Sequence, residues 1–314
     1  MKTISLGNSP LSGSRLAYGC WRLAGTWNPA EMQPDAEEHG RAAVRAAYEA
    51  GYTIFDHADI YCDGMGEKIC GQVLKEIPGM RARVLLASKC GIRKPGEPMA
   101  DSPYRYDFSA AYLIHSCEQS LRRLGVETLD LYQLHRPDYL MDPDEVASAF
   151  SQLRQAGKVR EFGVSNFRPM QLTALQRACP MRLLVHQVEI SLANLSAFDD
   201  GTLDQCLAEK ITPMAWSPLA GGQLGDGAHR LLPSQESYRC APIVATLDTI
   251  ARTRGVSRTV VALAWLLKHP GGLIPIVGSI TPAHIRAAAQ APEVNLSRDE
   301  WYRLLEAARG ERLP

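Results

Sequence analysis

Several features that would narrow the role of this chain are missing from it. Neither sign of charge is in excess: Lys plus Arg and Asp plus Glu both number 34 in 314 residues. There is therefore no global basic field for nucleic acid or an acidic membrane surface, and a small molecule is the better-matched partner. The eight cysteines, at 20, 62, 70, 90, 117, 179, 206 and 240, include no C-x-x-C pair and no Cys/His spacing suited to zinc. That argues against a metal or disulfide framework and for a reducing, cytoplasmic setting. The first residues, Met1-Lys2-Thr3-Ile4, lack the charged and apolar segments of a secretion signal, and the longest apolar run, 260–267, is too short to cross a bilayer. In that setting the Asn-x-Ser matches at Asn194 and Asn295 read as chance. No short repeat and no Pro/Gly/Ser linker divides the chain, so residues 1–314 are expected to form one domain.

What is present is an alternation of short β-type runs and helical patterns. An N-terminal hairpin, with Gly7-Asn8 and Gly13 as turn residues, precedes a first strand at 16–18. Asp35 is placed to cap a helix reaching Ala50, with Gly51 as its stop. Strands follow at 52–55, 83–88, 129–134, 159–164, 183–188, 211–216 and 273–277. Helices are expected near 66–77, 109–124, 143–156 and 202–209, and from Pro169, with a helical tail at 281–290 and 298–309. Such a sequence of βα units forms a parallel sheet. It either closes as a (β/α)8 TIM barrel or opens as a doubly wound sheet; eight is the number that closes a barrel, and that is the fold adopted. The irregular stretch 217–241 carries Gly221-Gly222-Gln223-Leu224-Gly225-Asp226-Gly227. It matches no dinucleotide fingerprint, and it reads equally as a surface loop or as a lid or binding element.

In a barrel, reacting groups come from the C-terminal ends of several strands. Here those ends carry Asp56, Lys89, His135, Ser165-Asn166, Gln187 and Trp216-Ser217, with Tyr61 shortly after Asp56. Taken singly, a lysine there is most often a solvated strand end and a histidine a hydrogen-bonded structural residue. Together they would place a carboxylate, an ammonium, a phenol and an imidazole at one mouth. A cation about 4 Å from the phenol is worth roughly 4 kcal/mol at an effective dielectric of about 20, before burial is subtracted, and would bring Tyr61 near neutrality. Asp56 would keep Lys89 charged, and His135 would hydrogen-bond a substrate oxygen. Such a site suits protonation of an oxygen that gains negative charge as a carbonyl accepts hydride.

The stretch Phe55-Asp56-His57-Ala58-Asp59-Ile60-Tyr61, with Ser88-Lys89, Leu134-His135-Arg136-Pro137-Asp138, Gly163-Val164-Ser165-Asn166-Phe167, Gln187 and Trp216-Ser217-Pro218-Leu219-Ala220-Gly221-Gly222, resembles the aldo-keto reductases over about residues 16–288. The form of the motif is similar to that of bacterial oxidoreductases of this family. The resemblance implies a (β/α)8 barrel with Asp56, Tyr61, Lys89 and His135 as the catalytic tetrad. It implies NADPH as cofactor rather than NADH, with Ser165, Asn166 and Gln187 on the carboxamide and Trp216 stacked on the nicotinamide. Gly19 and Trp21 count among the cofactor contacts, the segment from Ser217 through Pro218, Leu219 and Gly221 to Gln223 would wrap the pyrophosphate, and Gly278, Ser279, Thr281 and His284 would meet the adenosine phosphate. Gly278 and His284 stand where many members carry Lys or Arg, which leaves Arg286 as a possible substitute, and Ala288 replaces a polar residue near the adenine. Cys62-Asp63 replaces the usual glycine after Tyr61.

The function implied is reduction of an aldehyde or ketone to an alcohol, with Tyr61 as general acid. Trp27, with Trp21, would wall the substrate beside Tyr61 and His135, or would simply anchor the loop. The partner is then a small carbonyl compound, with no nucleic acid, membrane or metal, and the chain a monomer or weak homo-oligomer. Two alternatives remain open at this level: a barrel that senses NADPH with little turnover, and a Schiff-base aldolase acting through Lys89.

Overall fold

A computed structural model describes residues 1–227 and 231–313. In chain order the elements are β1 (Thr3–Ser5), β2 (Ser12–Ser14), β3 (Ala17–Gly19), α1 (Ala36–Glu49), β4 (Ile54–Asp56), α2 (Met65–Glu76), β5 (Leu85–Cys90), β6 (Ile92–Arg93) and β7 (Arg105–Tyr106). They continue with α3 (Ala110–Leu124), β8 (Leu129–Leu134), α4 (Pro143–Gln155), β9 (Val159–Ser165), α5 (Pro169–Ala178), β10 (Leu183–Glu189), α6 (Ser196–Asp199), α7 (Thr202–Glu209) and β11 (Thr212–Trp216). The last are α8 (Ala241–Arg254), α9 (Arg258–Leu267), β12 (Ile274–Val277), α10 (Pro282–Ala288) and α11 (Arg298–Arg309).

Eight strands, β3, β4, β5, β8, β9, β10, β11 and β12, pair in parallel in that order and close on themselves. The fold is the (β/α)8 barrel, and the open-sheet alternative is excluded by the pairing of β12 with β3, Ile276 opposite Ala17. Closure is built from side chains of two kinds. Ala17, Ile54, Ala87, Leu131, Val185, Met214 and Ile274 fill the barrel interior, joined by Leu6 and Leu11 from the hairpin. Outward residues such as Tyr18, Phe55, Tyr132, Phe162 and Val164 pack under the helices. Because side chains alternate along a strand, the spacing that turns Ile54 and Ala87 into the barrel puts Asp56 on the same face at the end of β4 and Lys89 on the same face near the end of β5, with register neighbours Asp56 and Ala87, Lys89 and Gln133.

The antiparallel pair β1–β2 plugs the N-terminal end, where the Gly7 amide donates to Thr212 Oγ1 at 2.7 Å. Gly7 lies in the turn, at φ +53°. Gly13 does not: it sits inside β2, where a Cβ would meet Ile54 Cγ1 at 2.5 Å, so the glycine serves close approach and not turning. Asp35 occupies the position before α1 but its side chain caps nothing; its carboxylate lies instead 3.6 Å from His39 Nδ1.

Two helices not anticipated from the sequence, α8 and α9, fill 241–267. In α9, Ser257 caps the first turn and Val260 through Leu266 are all buried, Trp265 among them. A helix that is apolar all round carries no amphipathic period to betray it. The small antiparallel pair β6–β7 likewise organises a stretch that reads as loop. Within 217–241, two short 3-10 turns form at Ala220–Gly222 and Pro233–Gln235. Residues 228–230 of that stretch, which bear on its reading as a lid or a surface loop, lie outside the described residues. Among the described residues no helix is long and apolar enough to cross a membrane.

Candidate active site

The C-terminal ends of the strands open into a cleft of about 770 Å³. β4 delivers Asp56, which is 3% exposed, and the turn after it delivers Tyr61, half-buried. β5 delivers Lys89, fully buried, and His135 follows the last residue of β8. The Lys89 ammonium spends its three donors on Asp56 Oδ2 at 2.8 Å, the His57 carbonyl at 2.7 Å and the Tyr61 oxygen at 3.3 Å. Gln187 Nε2 donates to the other Asp56 oxygen at 3.0 Å, so the carboxylate is fixed on both sides. The rings of Tyr61 and His135 stand edge to face, 5.8 Å apart.

Burial and charge decide the protonation states. Burial would depress the Lys89 ammonium, but Asp56 and Tyr61 more than offset it and hold it above its usual range. An amine held charged by three acceptors is no nucleophile, which removes the support for a Schiff-base role. For Tyr61 the expected balance is reversed. Burial raises the phenol and outweighs the downward pull of Lys89, with Asp56 adding to the rise, so Tyr61 lies above its ordinary value and not near neutrality. The Coulomb pull was right in sign; desolvation of the anion is larger. Burial, with Lys89 and Arg136, pushes His135 well below the usual imidazole range, so this ring is neutral.

A second set of residues surrounds the same cleft. Ser165 ends β9, and Asn166, directly after it, takes a left-handed backbone, φ +61°. Its Nδ2 donates to the His135 carbonyl at 3.0 Å and to Ser165 Oγ at 2.8 Å, and its Oδ1 accepts from Trp216 Nε1 at 3.0 Å. The amide thus locks the Trp216 ring in place. Gln187 lines the cleft as well, although its Nε2 is engaged by Asp56. Ser217, Pro218, Leu219 and Gly221 line it from β11 onward, with Ser217 at φ +48°, Ala220 at +49° and Gly221 at +66°. Non-glycine residues held at positive φ carry strain, and here the strain follows the cleft wall.

Gly278, Ser279, Thr281, His284 and Ala288, after β12, line the far end, and Gly19, the register neighbour of Asp56, and Trp21 line the wall as well. Trp21 lies over Gly278, where a Cβ would meet its Nε1 at 3.3 Å, whereas Trp27 reaches Tyr61 with ring centroids 6.0 Å apart. The two indoles, 5.2 Å apart, bridge the two ends of the cleft.

Two expectations are corrected. Gln223 does not line the cleft; its Nε2 donates to the Gln235 carbonyl at 3.0 Å and ties the two 3-10 turns together. Arg286 turns outward to Glu49, 3.4 Å away, and supplies no charge to the far end. Cys62, beside Tyr61, is a buried thiol at φ +47° whose pKa is raised by burial and by Asp63, and it stays outside the cleft. Lining residues that the sequence reading did not single out include Arg22, Ile60, Lys94, Tyr104, Arg136 and Thr259. Arg136 adjoins His135 in the segment 134–138, while Thr259 lies on α9, whose apolar sequence carries no helical period.

Comparison with known proteins bears on the family and the fold. The model of the aldo/keto reductase family matches residues 15–309, and the chain belongs to that family of oxidoreductases, whose members use nicotinamide cofactors. It is 41% identical over 321 residues to a 6-dehydroglucose reductase of Novosphingobium aromaticivorans, covering 98% of this chain and 96% of that one. It is 38% identical over 312 residues to a 6-dehydroglucose reductase of Agrobacterium fabrum, covering 99% of each. Among solved structures, a glycerol dehydrogenase of Gluconobacter oxydans superposes with a TM-score of 0.86 at 27% identity, over 99% of this chain and 97% of that one.

Proposed function

We propose that residues 1–314 act as one catalytic domain, an NADPH-dependent reductase that converts a hydroxylated, sugar-like aldehyde or ketone to the alcohol. The observation that carries this reading is the single polar chain Gln187–Asp56–Lys89–Tyr61 ending in the cleft beside His135. The names of the reductases from Novosphingobium and Agrobacterium support the sugar-like class.

The residues present suit a nicotinamide nucleotide: a fixed indole at Trp216, a glycine-bearing wall at 217–222, and at the far end a cradle at Gly278 that a Cβ would begin to fill. When bound, that nucleotide supplies the hydride. Ser165, Asn166 and Gln187 would receive the carboxamide, Trp216 the ring face, and Ser279, Thr281 and His284 the phosphate that distinguishes NADPH from NADH. The chain's own chemistry is proton transfer. Tyr61 keeps its proton at neutral pH because burial raises it, and gives that proton to the substrate oxygen as charge develops there. Lys89 then faces a forming phenolate and stabilises it, while neutral His135 hydrogen-bonds and orients the carbonyl oxygen.

The test is a fluorescence titration with NADPH and NADH in parallel, followed by the loss of NADPH absorbance with a panel of hydroxylated aldehydes and ketones. Tyr61→Phe should bind NADPH like the parent and lose about 10²- to 10⁴-fold in turnover. Normal turnover by that variant would remove Tyr61 as the acid. Tight binding with no turnover on any carbonyl would favour a nucleotide sensor.

A further inference from the structure

The cleft wall holds a guanidinium that none of the roles above uses. Arg136 follows His135, is half-buried and lines the cleft. Its charge acts on both His135 and Tyr104, which line the same cleft. The acidic residues of the cleft and of the segments beside it have other partners. Asp56 is held by Lys89 and Gln187, and Asp63 by Lys94. Asp138, two residues on, accepts the Phe108 amide at 3.0 Å and the Leu140 amide at 2.9 Å. Among the described residues the Arg136 guanidinium is paired with no carboxylate; its contact is the face of Trp216, 5.4 Å from the ring centroid. A planar, permanently charged fork, stacked on an indole and half withdrawn from water, is a receptor for carboxylate or phosphate oxygens. Two more cations flank the mouth: Lys94, and Arg22 over the Trp21 ring at 4.7 Å.

We infer that Arg136 selects the substrate, and that the preferred substrates are short aldehydes or ketones bearing one anionic group, a carboxylate or a phosphate, close to the carbonyl. The inference rests on the carbonyl-reductase reading. Its geometry is simple: the carbonyl oxygen sits between Tyr61 and His135, and the next residue along the chain holds the anion. Fixing both ends of a short molecule orients the reacting carbon, so the anion acts on binding and positioning rather than on the proton transfer itself.

The test uses matched pairs that differ only in the anionic group: glyceraldehyde against glyceraldehyde phosphate, and butanal against the same chain carrying a terminal carboxylate. The parent protein should show kcat/KM at least about tenfold higher for the anionic member of each pair, the size expected for one charged hydrogen-bond pair. Arg136→Met, which keeps an unbranched stem without the charge, should abolish that ratio mainly through KM. Arg136→Lys, with charge but no fork, should keep part of it. The NADPH titration run on the same variants separates the substrate from the cofactor. Equal use of both members by the parent, an equal fall for both members in Arg136→Met, or a loss of NADPH binding in that variant would each overturn the inference, the last by assigning the guanidinium to the cofactor. Reduction of neutral members alone would leave the reductase reading standing and overturn only the anion preference. If the parent reduces no carbonyl at all, the reductase reading falls and the inference falls with it.

Discussion

The Lys89 ammonium lies 3.3 Å from the phenolic oxygen of Tyr61, yet the phenol sits above its ordinary pKa because burial outweighs that cation. The pair is therefore set for the product of proton transfer more than for the resting acid. At rest, the cation only partly offsets desolvation. Once the proton has left, it faces a full negative charge at hydrogen-bond distance.

That arrangement fixes the sign of the pH dependence. Reduction needs the protonated phenol, and Tyr61 is raised, so the reduction rate should stay level across about pH 7 to 9 and fall only above the ordinary phenol range near about 10. His135 is already neutral throughout and adds no limb there. Lys89→Met removes the cation that pulls the phenol down, so its alkaline limb should move to still higher pH, on a plateau reduced about 10²-fold or more. A pH profile of kcat for both proteins checks this. A reduction rate in the parent that halves between pH 7 and 8 would contradict the raised phenol.

The site was legible where chemistry and strand ends coincide. Asp56, Lys89 and His135 each close a β-type run, and a parallel barrel gathers those ends whatever the loops do. What was not legible depends on partners distant in the chain. Arg286 points away because Glu49 lies on α1, and Gln223 is drawn off by a carbonyl of the second 3-10 turn. Helix α9 was missed because it is apolar on every side, and Thr259 went with it. The protonation of Tyr61 is not legible in the sequence for a related reason: a charge pair can be read from a motif, but desolvation is a property of everything packed around it.

Behind the site, a buried carboxylate offers a stability test. Glu67 is fully buried on α2; it accepts from Ser88 Oγ at 2.6 Å and from Arg123 Nε at 2.6 Å. Arg123→Met leaves that charge with a hydroxyl alone, and should cost about 3–5 kcal/mol in urea unfolding. Adding Glu67→Leu should recover most of the loss, since the charge and its partner then leave together. A single variant within about 1 kcal/mol of the parent would show that the Arg123–Glu67 contact contributes little to the fold.

Gly71 reverses a familiar expectation. Inside an α-helix, Gly→Ala ordinarily stabilises by about 1 kcal/mol. Here α2 passes so close to the end of α3 that a Cβ at residue 71 would meet the Leu124 carbonyl oxygen at 2.6 Å and that of Arg123 at 2.8 Å. Both obstacles are backbone and cannot swing aside. Gly71→Ala should therefore destabilise by about 1–3 kcal/mol, and a thermal-melt rise would show that the two helices can part more easily than their packing implies.

His186 gives the acid side of the stability curve a specific cause. It is fully buried in β10, and burial pushes its pKa from 6.5 down to about 4, outweighing the upward pulls of Asp200 and of the Phe167 backbone. The folded-state value is depressed, so at neutral pH neither state binds the proton and the histidine costs nothing. Below about 6.5 the unfolded chain takes up a proton that the folded chain refuses until about 4, and stability falls across that window. The full difference amounts to about 3 kcal/mol. His57 is also buried, but its neighbours Cys70, Glu67 and Asp56 overcome burial and raise it, which slopes the other way, so the measurement must be a difference. Urea unfolding of the parent and of His186→Gln from about pH 7 to about pH 4 isolates the term. The parent should lose stability faster than the variant as pH falls, and curves that stay parallel would show that His186 reaches a proton in the folded state as easily as in the unfolded chain.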